Sequence, residues 1–168
     1  VASLLGGVLV GTPSAAAAAG SGDDPEALGR CDRVWVTNVY NYKSKHHGKG
    51  PIYKDGRGGT MTLTKHEAGE FSSSVSATVG VSVKAAVAEA KAEGTVGATV
   101  KTTWGTSHSF SHKIASNKYG NAQYGTFGHT ASVEKYLTLP DCKKSQRKTG
   151  TAKIGNKTQG FRFWQTNS

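Results

Sequence analysis

The sequence predicts an all-β fold, an elongated antiparallel sheet or sandwich, and three observations carry that prediction. Between Phe71 and Ile114, small apolar residues alternate with hydroxyls and glycines at period two, in two arms. On either side, CDRVWVTNVYNY (31–42) and TAKIGNKTQGFRFWQT (151–166) are rich in β-branched and aromatic residues. Glycine-bearing turn signals recur along the chain, whereas good helix formers gather only in KAAVAEAKAE, 84–93.

Taken in order, residues 1–19 (VASLLGGVLVGTPSAAAAA) have the apolar run and small-residue zone of a secretory signal peptide, cleaved after Ala17 or Ala19, without a charged n-region before them. The apolar run from Leu4 to Val10 is far short of the roughly 18–20 residues of a membrane span. Residues 20–30 (GSGDDPEALGR) read as a flexible leader, leaving 31–168 as a single β domain in a secreted, extracellular protein. CDRVWVTNVYNY then alternates as a first strand, and KSKHHGKG (43–50) reads as a loop by composition. Two short strands follow, around Ile52–Lys54 and Thr60–Lys65, with Asp55-Gly56 supplying a tight hairpin turn.

In the first arm the odd positions are Phe71, Ser73, Val75, Ala77, Val79, Val81 and Val83, and the even neighbours are Ser, Thr or Gly. Past Gly94 the apolar set moves to even positions: Val96, Ala98, Val100, Thr102, Trp104, then Phe110 and Ile114. This predicts two long strands, an amphipathic hairpin over 71–114, joined through a short helical or extended tip at Lys84–Glu93. Three aromatic-glycine pairs, Tyr119-Gly120, Tyr124-Gly125 and Phe127-Gly128, lead into a strand from about Gln123 to Leu139, ended by Pro140. Phe161, Phe163 and Trp164 mark a last strand.

The only cysteines, Cys31 and Cys142, form an even pair, which in an exported protein reads as a disulfide. The net charge is +10, and no acidic residue follows Asp141. Lys143, Lys144, Arg147 and Lys148 open a basic tail, 143–168, suited to an anionic membrane or cell-wall surface. Export and the lack of any nucleic-acid-binding signature argue against nucleic acid as the partner.

Catalysis finds no foothold, and a non-enzyme is expected. There is no G-x-S-x-G elbow, and GRGG at 56–59 lacks the Lys-Ser/Thr and helix of a phosphate loop. No small-molecule substrate or cofactor is implied. No metal is expected either: His108 and His112 lie on a strand, where their separation is about 13 Å. His46-His47 fall in the Lys/Gly stretch, and His66 and His129 stand alone.

Val75–Val83 and Val96–Trp104 each have the length of a membrane-crossing β-strand, roughly 9–11 residues. Their Ser/Thr face would keep them soluble before insertion and line water afterwards. In this the stretch from about 60 to 140 resembles the insertion region of aerolysin-like β-pore-forming proteins. The chain also looks like small basic secreted proteins of filamentous actinomycetes. The resemblance implies a toxin-like protein that oligomerises with copies of itself and inserts the 71–114 hairpin. Val75, Val79, Val81, Val83, Val96, Val100 and Trp104 would then form its lipid face. The residues alone leave two other readings open. The hairpin could pack in an ordinary sandwich within a secreted adaptor that docks on a wall polymer, glycan or larger complex, or it could self-assemble as a fibre.

Overall fold

The computed structural model describes residues 30–95, 97–105 and 107–168. The expected signal peptide, all but Arg30 of the expected leader, and Val96 lie outside the described residues. In chain order the elements are β1 (Trp35–Lys65), β2 (Gly69–Ser72), β3 (Ser74–Val75), helix α1 (Val83–Ala92), β4 (Ala98–Thr99), β5 (Lys101–Trp104), β6 (His108–Thr138) and β7 (Lys144–Thr166). The fold is all-β: a large antiparallel sheet has β6 between β1 and β7, and β2 and β5 form a second, two-stranded sheet.

The strands are longer than composition suggests. KSKHHGKG is strand rather than loop, because β6 supplies partners from Lys43↔Thr130 to Gly48↔Gly125. Asp55-Gly56 makes no tight hairpin turn. It sits at a register shift inside β1, where the Asp55 carboxylate accepts the Gly56 N–H at 2.8 Å. β6 begins at His108 instead of near Gln123, and the basic tail is itself strand β7.

β1 and β6 reach their length by folding back together. Gly58 and Gly59 adopt φ of 70° and 86°, left-handed values that a β-carbon disfavours. Opposite them β6 spends residues 115–118 between the pairs Tyr119↔Arg57 and Ile114↔Gly59. Beyond that bend the hairpin lies over its own sheet. His108 packs on Tyr124 at 5.4 Å, Phe110 on Phe161 at 5.4 Å and His112 on Phe163 at 4.0 Å between ring centroids. Met61, Ile114 and Ala122 are buried between the layers, with Leu63, Phe110, Phe161 and Phe163 around them.

A second cluster lies further along. It joins Val39, Ala131, Val133, Ala152 and Ile154 of the large sheet to Val79, Ala86, Val87, Ala90 and Ala98 of the segment between β1 and β6. Cys31 and Cys142 are bonded, and the bond ties the residues before β1 to the β6–β7 turn. A disulfide suits an oxidising, extracellular compartment. Among the described residues no helix is long and apolar enough to cross a membrane, which leaves strands untouched.

Candidate functional site

The segment from 66 to 107 is where the sequence pattern and the structure meet. Residues 66–68 separate β1 from β2, and residues 105–107 separate β5 from β6. Equal gaps leave the register unchanged. The ladder Thr64↔Ser109, Lys65↔His108 resumes as Gly69↔Trp104 and runs to Ser72↔Lys101. One step on, the Ser73 N–H donates to the Val100 carbonyl at 2.8 Å. One hairpin register therefore spans β1–β6 and β2–β5.

Past that pair the arms part, and both land on the outer edge of β7. Ser74 and Val75 pair with Lys153 and Ala152, and Ala98 and Thr99 pair with Asn156 and Gly155. The expected long strands are thus corrected. The first arm contains a short 3-10 turn at Ala77–Val79 and then α1, so Val75–Val83 is not one extended strand. Lys84–Glu93 is helical for the reasons its composition gives: alanine-rich spacing and the Ser82 hydroxyl accepting the Ala85 N–H at 3.2 Å as N-cap.

Docking relies on small residues and a few hydrogen bonds. The Ser73 hydroxyl donates to the Thr99 carbonyl at 2.6 Å and accepts the Gly155 N–H at 2.9 Å. The Thr102 hydroxyl donates to the Asn156 carbonyl at 2.7 Å. Val79 seats against Gly150, where a β-carbon would collide with it and with Ser76. Phe71 seats against Gly155, where a β-carbon would come within 2.7 Å of its ring. The other side of Phe71 stacks on the buried His47 at 4.8 Å and 18°. Burial holds His47 below the ordinary imidazole range, opposed by its hydrogen bonds to backbone carbonyls and assisted by Lys153 and His46.

The residues singled out from the sequence divide as follows. Val79 is fully buried, and Val75, Val81 and Val83 are partly buried against the same cluster. Val96 lies outside the described residues. Val100 is exposed, and Trp104 is buried edge-on to Tyr124 at 5.4 Å. Of the four tail cations, Lys143 pairs with Asp141 at 3.0 Å, and Lys144 and Arg147 both pair with the buried Glu134. Burial pushes the Glu134 carboxyl up, but these two cations outweigh it and hold it below its usual range. Lys148 stands opposite Lys135 across the β6–β7 ladder. Among the described residues no group of three His, Cys, Asp or Glu could hold a metal.

Sequence reasoning missed Ser73, Thr102, Gly150 and Gly155, because nothing in a hydroxyl or glycine tells a docking contact from a solvated strand face. It also set His129 apart, whereas the His129 carbonyl lies 3.3 Å from the His47 Nε2 and its ring meets Tyr42 edge-on at 6.3 Å. Compared with models of known protein families and with curated proteins, the chain matches none.

Proposed function

We propose that this is a secreted membrane-active β protein, one that releases the 66–107 segment from β7 and rebuilds it as a hairpin continuing β1 and β6 across a bilayer. The observation that carries the reading is the unbroken register. With the gaps equal, zipping onward from Ser73–Val100 brings Val75 opposite Ala98, Val83 opposite Ala90 and Lys84 opposite Glu89. One face of that hairpin is Val and Ala from 75 to 83 and Ala90, Ala92, Gly94, Val96 and Ala98 on the other arm; the opposite face carries Ser, Thr, Gly and the charges. Nine residues per arm span about 30 Å at roughly 3.4 Å each, enough for an apolar band about 25 Å tall.

Two strands cannot close a barrel, and open edges are not tolerated in lipid, so the inserted form is a ring of several copies. Release serves that assembly, because it frees the edge of β7 from Ala152 to Asn156 that β3 and β4 cover. Basic surface residues bring the protein to anionic membranes.

Two disulfide locks test the reading. Ser74→Cys with Lys153→Cys joins paired residues of β3 and β7 and should abolish dye release from anionic liposomes until reduced. Glu70→Cys with Thr103→Cys joins residues that stay paired in both forms and should leave dye release intact. Equal leakage from both locked proteins, or no leakage and no detergent-resistant oligomer from the parent protein, would overturn the proposal.

A further inference from the structure

Beside the point where β4 meets β7, the β6–β7 ladder opens widely. Thr126 pairs with Gln159 and Gly128 with Gly155, so Asn156, Lys157 and Thr158 stand opposite the single residue Phe127. Such bulges re-aim side chains and often border functional sites. Here the opening coincides with a cleft of about 560 Å3, within the range of small-ligand sites.

Its lining has a consistent chemistry. Lys45 and Arg162 place two cations on it, and among the described residues no carboxylate lines it. Phe127 presents a ring 36% exposed, one of the few large apolar side chains so exposed among the described residues. His46 closes the cleft from β1; its Nε2 lies 3.2 Å from the Gly160 carbonyl. Two polar atoms of the lining, His129 Nδ1 and Asn156 Oδ1, are buried without a hydrogen-bond partner among the described residues. Leaving such atoms unpaired costs about 1–3 kcal/mol each, so a ligand that pairs with them gains what the free protein forgoes.

We infer that this cleft binds a phosphate ester of a polyhydroxylated carrier. The phosphate would meet Arg162 and Lys45, with the guanidinium fork matched to its oxygens. Hydroxyls would meet the His129 and Asn156 atoms, and the apolar face of the carrier would lie on Phe127. A cation-flanked cleft disfavours cationic ligands, and the unpaired acceptor of Asn156 calls for a hydroxyl donor beside the phosphate, which a polyol supplies. This goes beyond the membrane proposal, since it names a ligand and a site that the 66–107 segment does not form.

The test uses the full chain and reads binding, not leakage. The probes are myo-inositol 1-phosphate, glycerol 1-phosphate, inorganic phosphate, uncharged myo-inositol, and phosphatidylcholine vesicles with or without phosphatidylinositol. NMR shifts of the Phe127 and His129 side chains report occupancy. Both polyol phosphates should move them, and uncharged inositol should not. Arg162→Gln should weaken binding about tenfold or more, the loss of one charge-assisted hydrogen bond. Phe127→Ala should weaken the esters while leaving inorganic phosphate unchanged. Vesicle binding that soluble ester displaces identifies a lipid headgroup as the source; soluble binding alone identifies a free ester. Unmoved resonances at millimolar ester, or binding that Arg162→Gln leaves intact in a folded protein, would overturn the assignment.

Discussion

The two ends of the folded-back hairpin are held down in different ways. At its root, residues 59–65 and 108–114 are pinned by Met61, Leu63, Phe110 and Ile114 against Phe161 and Phe163, and by His108 against Tyr124. At its far end, the docked segment contributes Val79, Ala86, Val87, Ala90 and Ala98, and the sheet answers with Val39, Ala131, Val133, Ala152 and Ile154. Apolar burial scales with area, so a Val/Ala interface is worth far less per residue than an aromatic one. Hydrogen bonds through Ser73 and Thr102 make up part of the difference, and these water can replace. The tip is thus the more weakly held end. The proposed membrane-active function requires that inequality, because an anchor as strong at both ends would never open.

The largest expected effect lies outside both ends. Cys31 and Cys142 are 111 residues apart, and closing so long a loop stabilises by about 4–5 kcal/mol on the chain-entropy view. Reduction should lower the melting temperature of the whole chain by many degrees, while protease sensitivity within 66–107, measured well below that temperature, stays as it was. Next comes a direct comparison of the two ends. Ile114→Ala should cost about 2–5 kcal/mol and lower the global melting temperature. Val79→Ala should cost about 1–3 kcal/mol, read as faster hydrogen exchange confined to the tip. If Val79→Ala unfolds the protein globally and Ile114→Ala does not, the assignment of anchor and tip is reversed.

How much of this was legible in advance follows the same division. Period two from Phe71 onward is a local property of the chain, as are the helix formers at 84–93 and the paired cysteines, so the alternation, a helical or extended tip and the disulfide could be read directly, whereas the two long strands inferred from the alternation do not form. The fold-back could not, since Gly58 and Gly59 look like any turn glycines, and only the aromatic contacts above them show a bend in the middle of two strands. KSKHHGKG reads as a loop because its residues are polar, yet a long ladder on β6 satisfies its backbone groups whatever the side chains prefer. The tail cations were visible as charges, but Glu134 lies nine residues before the first of them and meets them only through the β6–β7 turn. The cleft at Phe127 depends on three residues of β7 standing opposite one of β6, and no local pattern encodes register.

A smaller effect is expected at the hydrogen bonds that hold the arms to β7. Ser73 is buried and bonds both Thr99 and Gly155, so Ser73→Ala leaves the Gly155 N–H and the Thr99 carbonyl without this partner. Such a loss costs about 1–3 kcal/mol. It should appear at the tip alone, as increased protease cleavage within 66–107 and dye release at lower protein concentration, with the global melting temperature nearly unchanged. Thr62→Ala, which removes an exposed hydroxyl pair with Ser111 at 3.4 Å in the root, should change neither. Matching effects from the two variants would erase the distinction between root and tip.

The smallest effect is a single titration, and its sign follows from His47. Docked, this imidazole is buried beneath Phe71, with Lys153 of β7, His46 beside it and His129 of β6 as neighbours, and its pKa is depressed. On the arm itself, the Glu70 carboxylate is engaged by Lys101 at 2.6 Å. Once the arm lifts, Phe71 leaves and His47 returns toward the ordinary value of about 6.5. Above that value neither form binds the proton and docking is at full strength. As pH falls through it toward the docked pKa, the lifted form takes up protons that the docked form refuses, and docking weakens. Below the docked pKa both forms are charged and the loss stops growing. His46 is depressed in the same direction, first by burial, but it packs on Phe127 and the Gly160 carbonyl, which the arm does not cover. The free energy of opening the tip, from hydrogen-exchange protection corrected for the intrinsic exchange rate at each pH, should therefore fall between pH ~7.5 and ~5 in the parent protein and in His46→Gln, and stay flat in His47→Gln. A tip whose protection ignores pH across that window, or one whose response survives His47→Gln, would separate His47 from the release of the arm.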